Sequence, residues 1–375
     1  MDRLHTGRVV RVHVISLAAA LAVVAACGAS GNLTGGGGQG GATAHGGRSG
    51  ATGSAGAGGG TAGAGGMECL ASEVPATPLQ PDILIVVEAS GSMNEDMTGT
   101  VCDSGCGASS KWAQVTSAID SVLAQTETSV SWGLQWFGDA GADGCTLVDG
   151  PAARVAPDNA SVIALALGGR TSANGGVAST GSAPTRLAIS GVAQYLTTLV
   201  DANPKVIVLA TDGLPGCKAG SGDPAADDSA ATIDAIVDAT TRGFLTYVVG
   251  IATANGPADA VLDQMAQAGA APRAGSPAYY PVSSRDDMVA TLNQVAADVS
   301  RCTFSFADPP CPGIGESRDD IGVFMNGTQI PLDTVNGWSY TDGSHTQFQL
   351  HGAACDTVKS QPTAPVTVGY HFLIL

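Results

Sequence analysis

Three oxygen-bearing side chains, Glu88, Ser90 and Ser92, stand at alternate positions in the stretch DILIVVEASGSM, residues 82–93. A carboxylate and two hydroxyls without nitrogen or sulfur suit a hard divalent cation, Mg²⁺ or Mn²⁺, better than a soft one. The same serines could instead be nucleophiles, but a serine hydrolase needs a base beside its serine. The six histidines are His5, His13, His45, His345, His351 and His371, so none lies between residues 46 and 344. No G-x-S-x-G elbow follows a strand in that region, and no phosphate loop or dinucleotide fingerprint occurs. The expectation is a binding site, with no catalytic residue.

What precedes these residues places them. Ile83, Leu84, Ile85, Val86 and Val87 are apolar without interruption. That is how a strand reads when both faces of its sheet are covered. The oxygen donors then follow at the strand's carboxyl end, the edge at which open α/β sheets bind ligands. A second such strand occurs at KVIVLATDG, residues 205–213, and ends at Asp212.

Together these stretches resemble the von Willebrand factor type A domain, whose first strand opens into an Asp-x-Ser-x-Ser metal loop. Glu88 stands at the Asp position, Ser90 and Ser92 match, and Asp212 takes the place of the later carboxylate. The family's Thr before a helix falls on Ala183 within GSAPTRLAI, residues 181–189, with Thr185 two residues late. The resemblance implies an α/β fold with a doubly wound, mainly parallel sheet. It also implies a metal-ion-dependent adhesion site of Glu88, Ser90, Ser92 and Asp212, with Thr185 as a further ligand. In that family, a carboxylate from a protein or extracellular-matrix partner completes the coordination. Glu88 is one methylene longer than Asp and Ala183 offers no oxygen, so weakened coordination is expected.

The remaining pattern supports this architecture over residues 81–301. Trp112, Val115, Ile119, Val122 and Leu123 have helical spacing, and residues 131–137 read as a strand. Residues 146–148 and 152–155 suggest a short edge pair, and residues 159–167 a short helix. Helices are expected over residues 185–199, 224–242, 257–268 and 286–300, and strands over 244–251 and 278–282. From Cys302 to the end, residues 302–375, short alternating runs separated by turn residues imply a β-rich extension. Asn326-Gly327 is its strongest hairpin signal.

The amino-terminal region reads as an address. Arg3, Arg8 and Arg11 precede an apolar run, residues 14–26, too short to span a bilayer. It closes on Val24-Ala25-Ala26-Cys27, which resembles a bacterial lipobox. Residues 1–26 are therefore expected to be a lipoprotein signal peptide and Cys27 the acylated residue. Gly28, rather than Asp, in the next position favours the outer over the inner membrane by the same resemblance. Residues 27–66, built of Gly, Ala, Ser and Thr, are expected to be a disordered tether, and residues 67–80 a lead-in. The chain carries a net charge of -17, which argues against nucleic acid as a partner.

Eight cysteines remain beside Cys27: Cys69, Cys102, Cys106, Cys145, Cys217, Cys302, Cys311 and Cys355. In an exported chain they favour disulfides over zinc. Cys102, Cys106, Cys145 and Cys217 are expected to staple the loops on the metal-loop face. Cys69 with Cys302, and Cys311 with Cys355, would close the two domains. The expected function is adhesion or protein binding by a lipid-anchored envelope protein. The alternatives are a metal-independent structural or interaction protein and, third, a hydrolase of unfamiliar mechanism.

Overall fold

The computed structural model describes residues 73–375, apart from 139–144, 148–149, 179–180, 255, 308–320, 342–344, 362 and 371–375. The expected signal segment and tether, Cys27, Cys69, Cys311 and the apolar carboxyl terminus lie outside the described residues. Two short strands come first, β1 (Val74–Pro75) and β2 (Thr77–Pro78). Each contains a proline, which cannot donate to a ladder, and each lies at the edge of its sheet.

Every residue of β3 (Asp82–Glu88) is buried. Side chains alternate across a strand, so Ile83, Ile85 and Val87 enter the apolar cluster on one face of the sheet. Leu84 and Val86 enter the cluster on the other. Each such side chain contributes about 1.5–3 kcal/mol by burial, and truncating one to Ala would cost roughly 2–5 kcal/mol. Helices and strands then alternate as α1 (Lys111–Thr126), β4 (Ser131–Phe137), β5 (Ala153–Ala156), α2 (Ala160–Arg170), α3 (Thr185–Leu196), β6 (Lys205–Thr211), α4 (Ser229–Thr241), β7 (Leu245–Ile251), α5 (Asp259–Ala268), β8 (Tyr280–Val282) and α6 (Arg285–Ser300).

The six strands lie in the order β5-β4-β3-β6-β7-β8. All neighbours are parallel except β5 against β4. Helices α1, α2 and α6 supply Trp112, Ile119, Ile163, Leu167, Met288 and Leu292 to one apolar cluster. Helices α3, α4 and α5 supply Ile189, Leu196, Ile236, Leu262 and Met265 to the other. This is the doubly wound, mainly parallel sheet that the resemblance implied. Helix α4 starts at Ser229 rather than near residue 224. Asp223 Oδ1 accepts from Ala225 N at 2.9 Å and Asp227 Oδ1 from Ser229 N at 2.9 Å, holding the approach in local turns.

Beyond α6 come β9 (Thr303–Ser305), β10 (Ile321–Met325), β11 (Thr328–Ile330), β12 (Trp338–Tyr340), β13 (Gln347–Leu350), α7 (Gly352–Ser360) and β14 (Val366–Tyr370). They form two antiparallel sheets, β1-β14-β10-β11 and β12-β13-β9-β2. Asn326 and Gly327 join β10 to β11 with φ of 51° and 73°, the left-handed pair a tight hairpin turn requires. Residues 74–78, read from the sequence as a lead-in, thus supply an edge strand to each sheet. Because β2 pairs with β9, the α/β domain is inserted between two adjacent strands of the β-rich domain.

The expected bridges Cys69–Cys302 and Cys311–Cys355 are corrected: Cys302 is bonded to Cys355. The two sheets share one apolar cluster and so form a sandwich; Cys302 immediately precedes β9, Cys355 lies on α7, and both are buried in that cluster. Helix α7 is an addition to the strands expected there. It ties the sandwich to α6 through Lys359 Nζ, 2.8 Å from Asp298 Oδ1. Arg301 Nη1 also donates to the Lys359 carbonyl at 3.0 Å. Among the described residues, no helix is long and apolar enough to cross a membrane.

Candidate functional site

Strand order reverses at β3. The chain builds outward through β4 and β5, then returns to β3's other side with β6. The carboxyl ends of β3 and β6 therefore flank the switch point, where open α/β sheets leave a crevice for ligands. Their parallel register aligns Val87 with Ala210, so Glu88 and Thr211 emerge side by side.

The loop after β3 is tightly held. Ala89 N donates to the Phe137 carbonyl at 2.7 Å, and residues Gly91–Asn94 form one 3-10 turn with Met93 buried beneath it. Gly138, at φ +98°, packs against this loop: a Cβ there would lie 2.8 Å from Ser90 N. Cys102–Cys106 and Cys145–Cys217 are bridged within the loops of this edge, as expected.

The four predicted residues meet. Ser90 Oγ is 2.6 Å from Glu88 Oε1, Ser90 Oγ is 2.9 Å from Ser92 Oγ, and Ser92 Oγ is 2.9 Å from Asp212 Oδ1. Glu88 Oε2 accepts from Thr211 Oγ1 at 2.5 Å and from Asp212 N at 3.2 Å. The run from Glu88 through the serines to Asp212 has three contacts, and the two hydroxyls supply two protons. Ser90 donates to Glu88 Oε1 and Ser92 to Asp212 Oδ1. Burial pushes the Glu88 carboxyl up to about 8, reinforced by the neighbouring Asp212 carboxylate.

Thr185 is not part of this cluster. It opens α3, is buried, and its hydroxyl donates to the Ala183 carbonyl at 3.3 Å. Ala183 presents only a methyl group, packed with the apolar cluster on that face of the sheet.

Sequence reasoning missed Lys111. Its Nζ lies 2.9 Å from Asp212 Oδ2 and 2.8 Å from Glu95 Oε2, with the lysine side chain 5% exposed and that of Asp212 1%. Burial alone would push the ammonium's pKa down, but Asp212 and Glu95 together hold it above its ordinary value. Lys111 is the first residue of α1, after the Ser110 cap, and its N donates to the Glu95 carbonyl at 2.7 Å. A cation at a helix amino terminus opposes the helix dipole. A lysine there, in a chain with four lysines, was the available signal.

These residues do not fit a resident Mg²⁺ or Mn²⁺. The donor atoms are of the right kind, but Ser92 covers one oxygen of Asp212 and the Lys111 ammonium the other. Ala183 offers only a methyl group, and Thr185, the expected further ligand, turns its hydroxyl to the Ala183 carbonyl. Among the described residues, no group of three or more His, Cys, Asp or Glu side chains is arranged to hold a metal.

No protein-family model matches the chain, and no curated protein matches it. Among solved structures it is similar to the pilus adhesin SpaC from Lactobacillus rhamnosus GG, with 15% identity over 79% of this chain and 40% of that one, at a TM-score of 0.42. It is also similar to the PilB minor pilin from Streptococcus sanguinis, with 14% identity over 60% and 62% of the two chains and a TM-score of 0.43. A third is the manganese-loaded TRAP protein from Plasmodium vivax, with 15% identity over 60% and 75% and a TM-score of 0.41. The matched part is less than two thirds of the length of either pilus protein.

Proposed function

We propose that this chain is a protein-binding domain of the cell envelope, held by a lipid on Cys27 and presenting the β3–β6 edge to a protein or matrix partner. The observation that carries this reading is the hydrogen-bonded cluster of Glu88, Ser90, Ser92 and Asp212 at the sheet's switch point. Ser92 is partly exposed there, and the loops leaving the cluster carry apolar side chains to solvent, Val101 at 77% and Leu214 at 41% exposure. Polar groups fixed in place beside exposed apolar ones suit an interface. In this reading the edge binds a partner rather than catalysing a reaction; the sequence has no histidine between residues 46 and 344 to serve as a base for these serines.

The test uses the full-length chain as bait against envelope and matrix extracts, beside Ser92→Arg and Leu214→Asp variants whose melting temperatures match the parent's. The parent retains a protein partner that both variants lose. Equal retention by all three would remove the β3–β6 edge as the docking face. Labelling of Ser90 or Ser92 by a serine-reactive hydrolase probe would favour the enzyme reading instead. Anchoring is read separately: Cys27→Ser should release the protein from the membrane fraction, and continued acylation of that variant would contradict the lipid site.

A further inference from the structure

We propose that Lys111 holds the place of the divalent cation at this edge, so that the cluster is assembled and kept in order by a covalently attached ammonium. The inference rests on the reading of this edge as the functional site, and it makes that site independent of metal.

Three features carry it. First, the contact is buried and specific: the ammonium bridges Asp212 Oδ2 and Glu95 Oε2, and the side chains of Lys111 and Asp212 are 5% and 1% exposed. A surface ion pair would contribute little; here, removing one partner would leave the other charge buried and uncompensated. Second, the ammonium connects two of the elements that a shared cation would connect, the β3 loop through Glu95 and the end of β6 through Asp212. Asp212 follows β6, Glu95 closes the turn that contains Ser92, and Lys111 opens α1. Through Ser92, which contacts Asp212 Oδ1, the same carboxylate orders the hydroxyl run. Third, the substitutions agree in direction. Where the motif has a hydroxyl ligand this chain has Ala183, and where it has Asp this chain has Glu88, whose two oxygens are both engaged by Ser90, Thr211 and the backbone of Asp212. Nothing in the cluster is left reaching for an ion.

The chemistry favours lysine for this role. Its ammonium is a compact charge with three donors on a flexible stem, so it can serve two carboxylates at once. It also cannot dissociate into the medium, as an exchangeable ion can. A partner would therefore meet the same arrangement of Ser92 and Glu95 whatever the divalent-ion concentration outside the cell.

The experiment titrates the full-length chain with Mn²⁺ alone, reading free Mn²⁺ by electron paramagnetic resonance and melting temperature with and without chelator. The parent and Lys111→Arg are expected to show no saturable Mn²⁺ and no change in melting temperature on chelation. Lys111→Met, which keeps the apolar stem and uncovers both carboxylates, is expected to lose thermal stability in chelator. It should gain one saturable Mn²⁺ per chain and recover stability with it, and adding Asp212→Asn should abolish that gain. Saturable Mn²⁺ on the parent that Asp212→Asn removes would overturn the proposal. So would a folded Lys111→Met that binds no more Mn²⁺ than the parent, since Lys111 would then be an ion-pair partner only. Should Lys111→Met fail to fold, the parent's titration with its Asp212→Asn control still decides. Partner capture enters none of these readouts, so a chain that captures nothing yet titrates as expected would lose the binding function and keep the lysine's role.

Discussion

Thr211 Oγ1 lies 2.5 Å from Glu88 Oε2, linking the ends of β3 and β6 across 123 residues of sequence. The contact fixes which way the Glu88 carboxyl faces and leaves Oε1 to meet Ser90. Thr211→Val keeps the shape and β-branching but removes the donor. It should cost about 1–3 kcal/mol, the usual penalty for an under-satisfied buried acceptor. Glu88→Gln should cost less, because its amide oxygen still accepts from Thr211. Denaturant unfolding of both variants checks the order, and a larger loss in Glu88→Gln would refute the hydrogen-bond count.

Asp82, at the opposite end of β3, sets a pH dependence. Its carboxyl is 2% exposed, accepts from Asn203 Nδ2 at 3.1 Å and lies 3.7 Å from Lys205 Nζ. Burial raises its pKa from 3.8 to about 6, and the Asn203 hydrogen bond offsets only part of this. Between those values the folded chain binds more protons than the unfolded one, so Asp82's contribution to stability falls as pH rises through that window and is flat above it. Asp82→Asn keeps the Asn203 contact, and Lys205 keeps Asp201 at 2.7 Å. The variant should match the parent near pH 4 and exceed it by up to roughly 3 kcal/mol at pH 7. Urea unfolding across that range measures the difference; equal stability at pH 7 would contradict the assignment.

Gly138 tests how the cluster is positioned. Its φ of +98° disfavours any Cβ, and an added one would press on Ser90 N and the Ser182 carbonyl. Gly138→Ala should destabilise the chain by at least ~1 kcal/mol and displace the Ser90 loop, weakening partner capture. Gly168, in α2 with open space around it, is the control. There Ala should stabilise by ~0.4–1 kcal/mol. Thermal melts of the pair give both signs.

The Cys302–Cys355 bridge should appear in non-reducing peptide maps with Cys102–Cys106 and Cys145–Cys217. Replacing Cys302 and Cys355 together with Ala should cost about 2–5 kcal/mol, concentrated in the sandwich. Hydrogen exchange should therefore rise in β9 and α7 before it rises in β3.

β3 and β6 were legible because strands covered on both faces are written as unbroken apolar runs. The oxygen donors were legible because they follow those runs directly. Lys111 was not: it becomes part of the cluster only through the path of the loop between β3 and α1, which spacing alone does not specify. β1 and β2 were hidden by the prolines that confine them to sheet edges. The partner of Cys302 was hidden for a related reason. A domain whose two ends are paired as β2 and β9 needs no cysteine to clasp them. Helix α7, rich in small residues and short, carried too weak a period to stand out among strands.

The insertion of the α/β domain between β2 and β9 has a mechanical consequence. Tension entering at Glu73, with the proposed docking face held by a partner, meets two short pairings in series before it reaches β3. The first is Val74 and Pro75 on β14; the second is Thr77 and Pro78 on β9. β3, by contrast, is laddered along its length to neighbours on both sides. The edge strands should therefore peel first, adding slack to the line while the grip of the docking face stays intact. In a single-molecule pull this would register as a small early extension, well below the force that opens the central sheet.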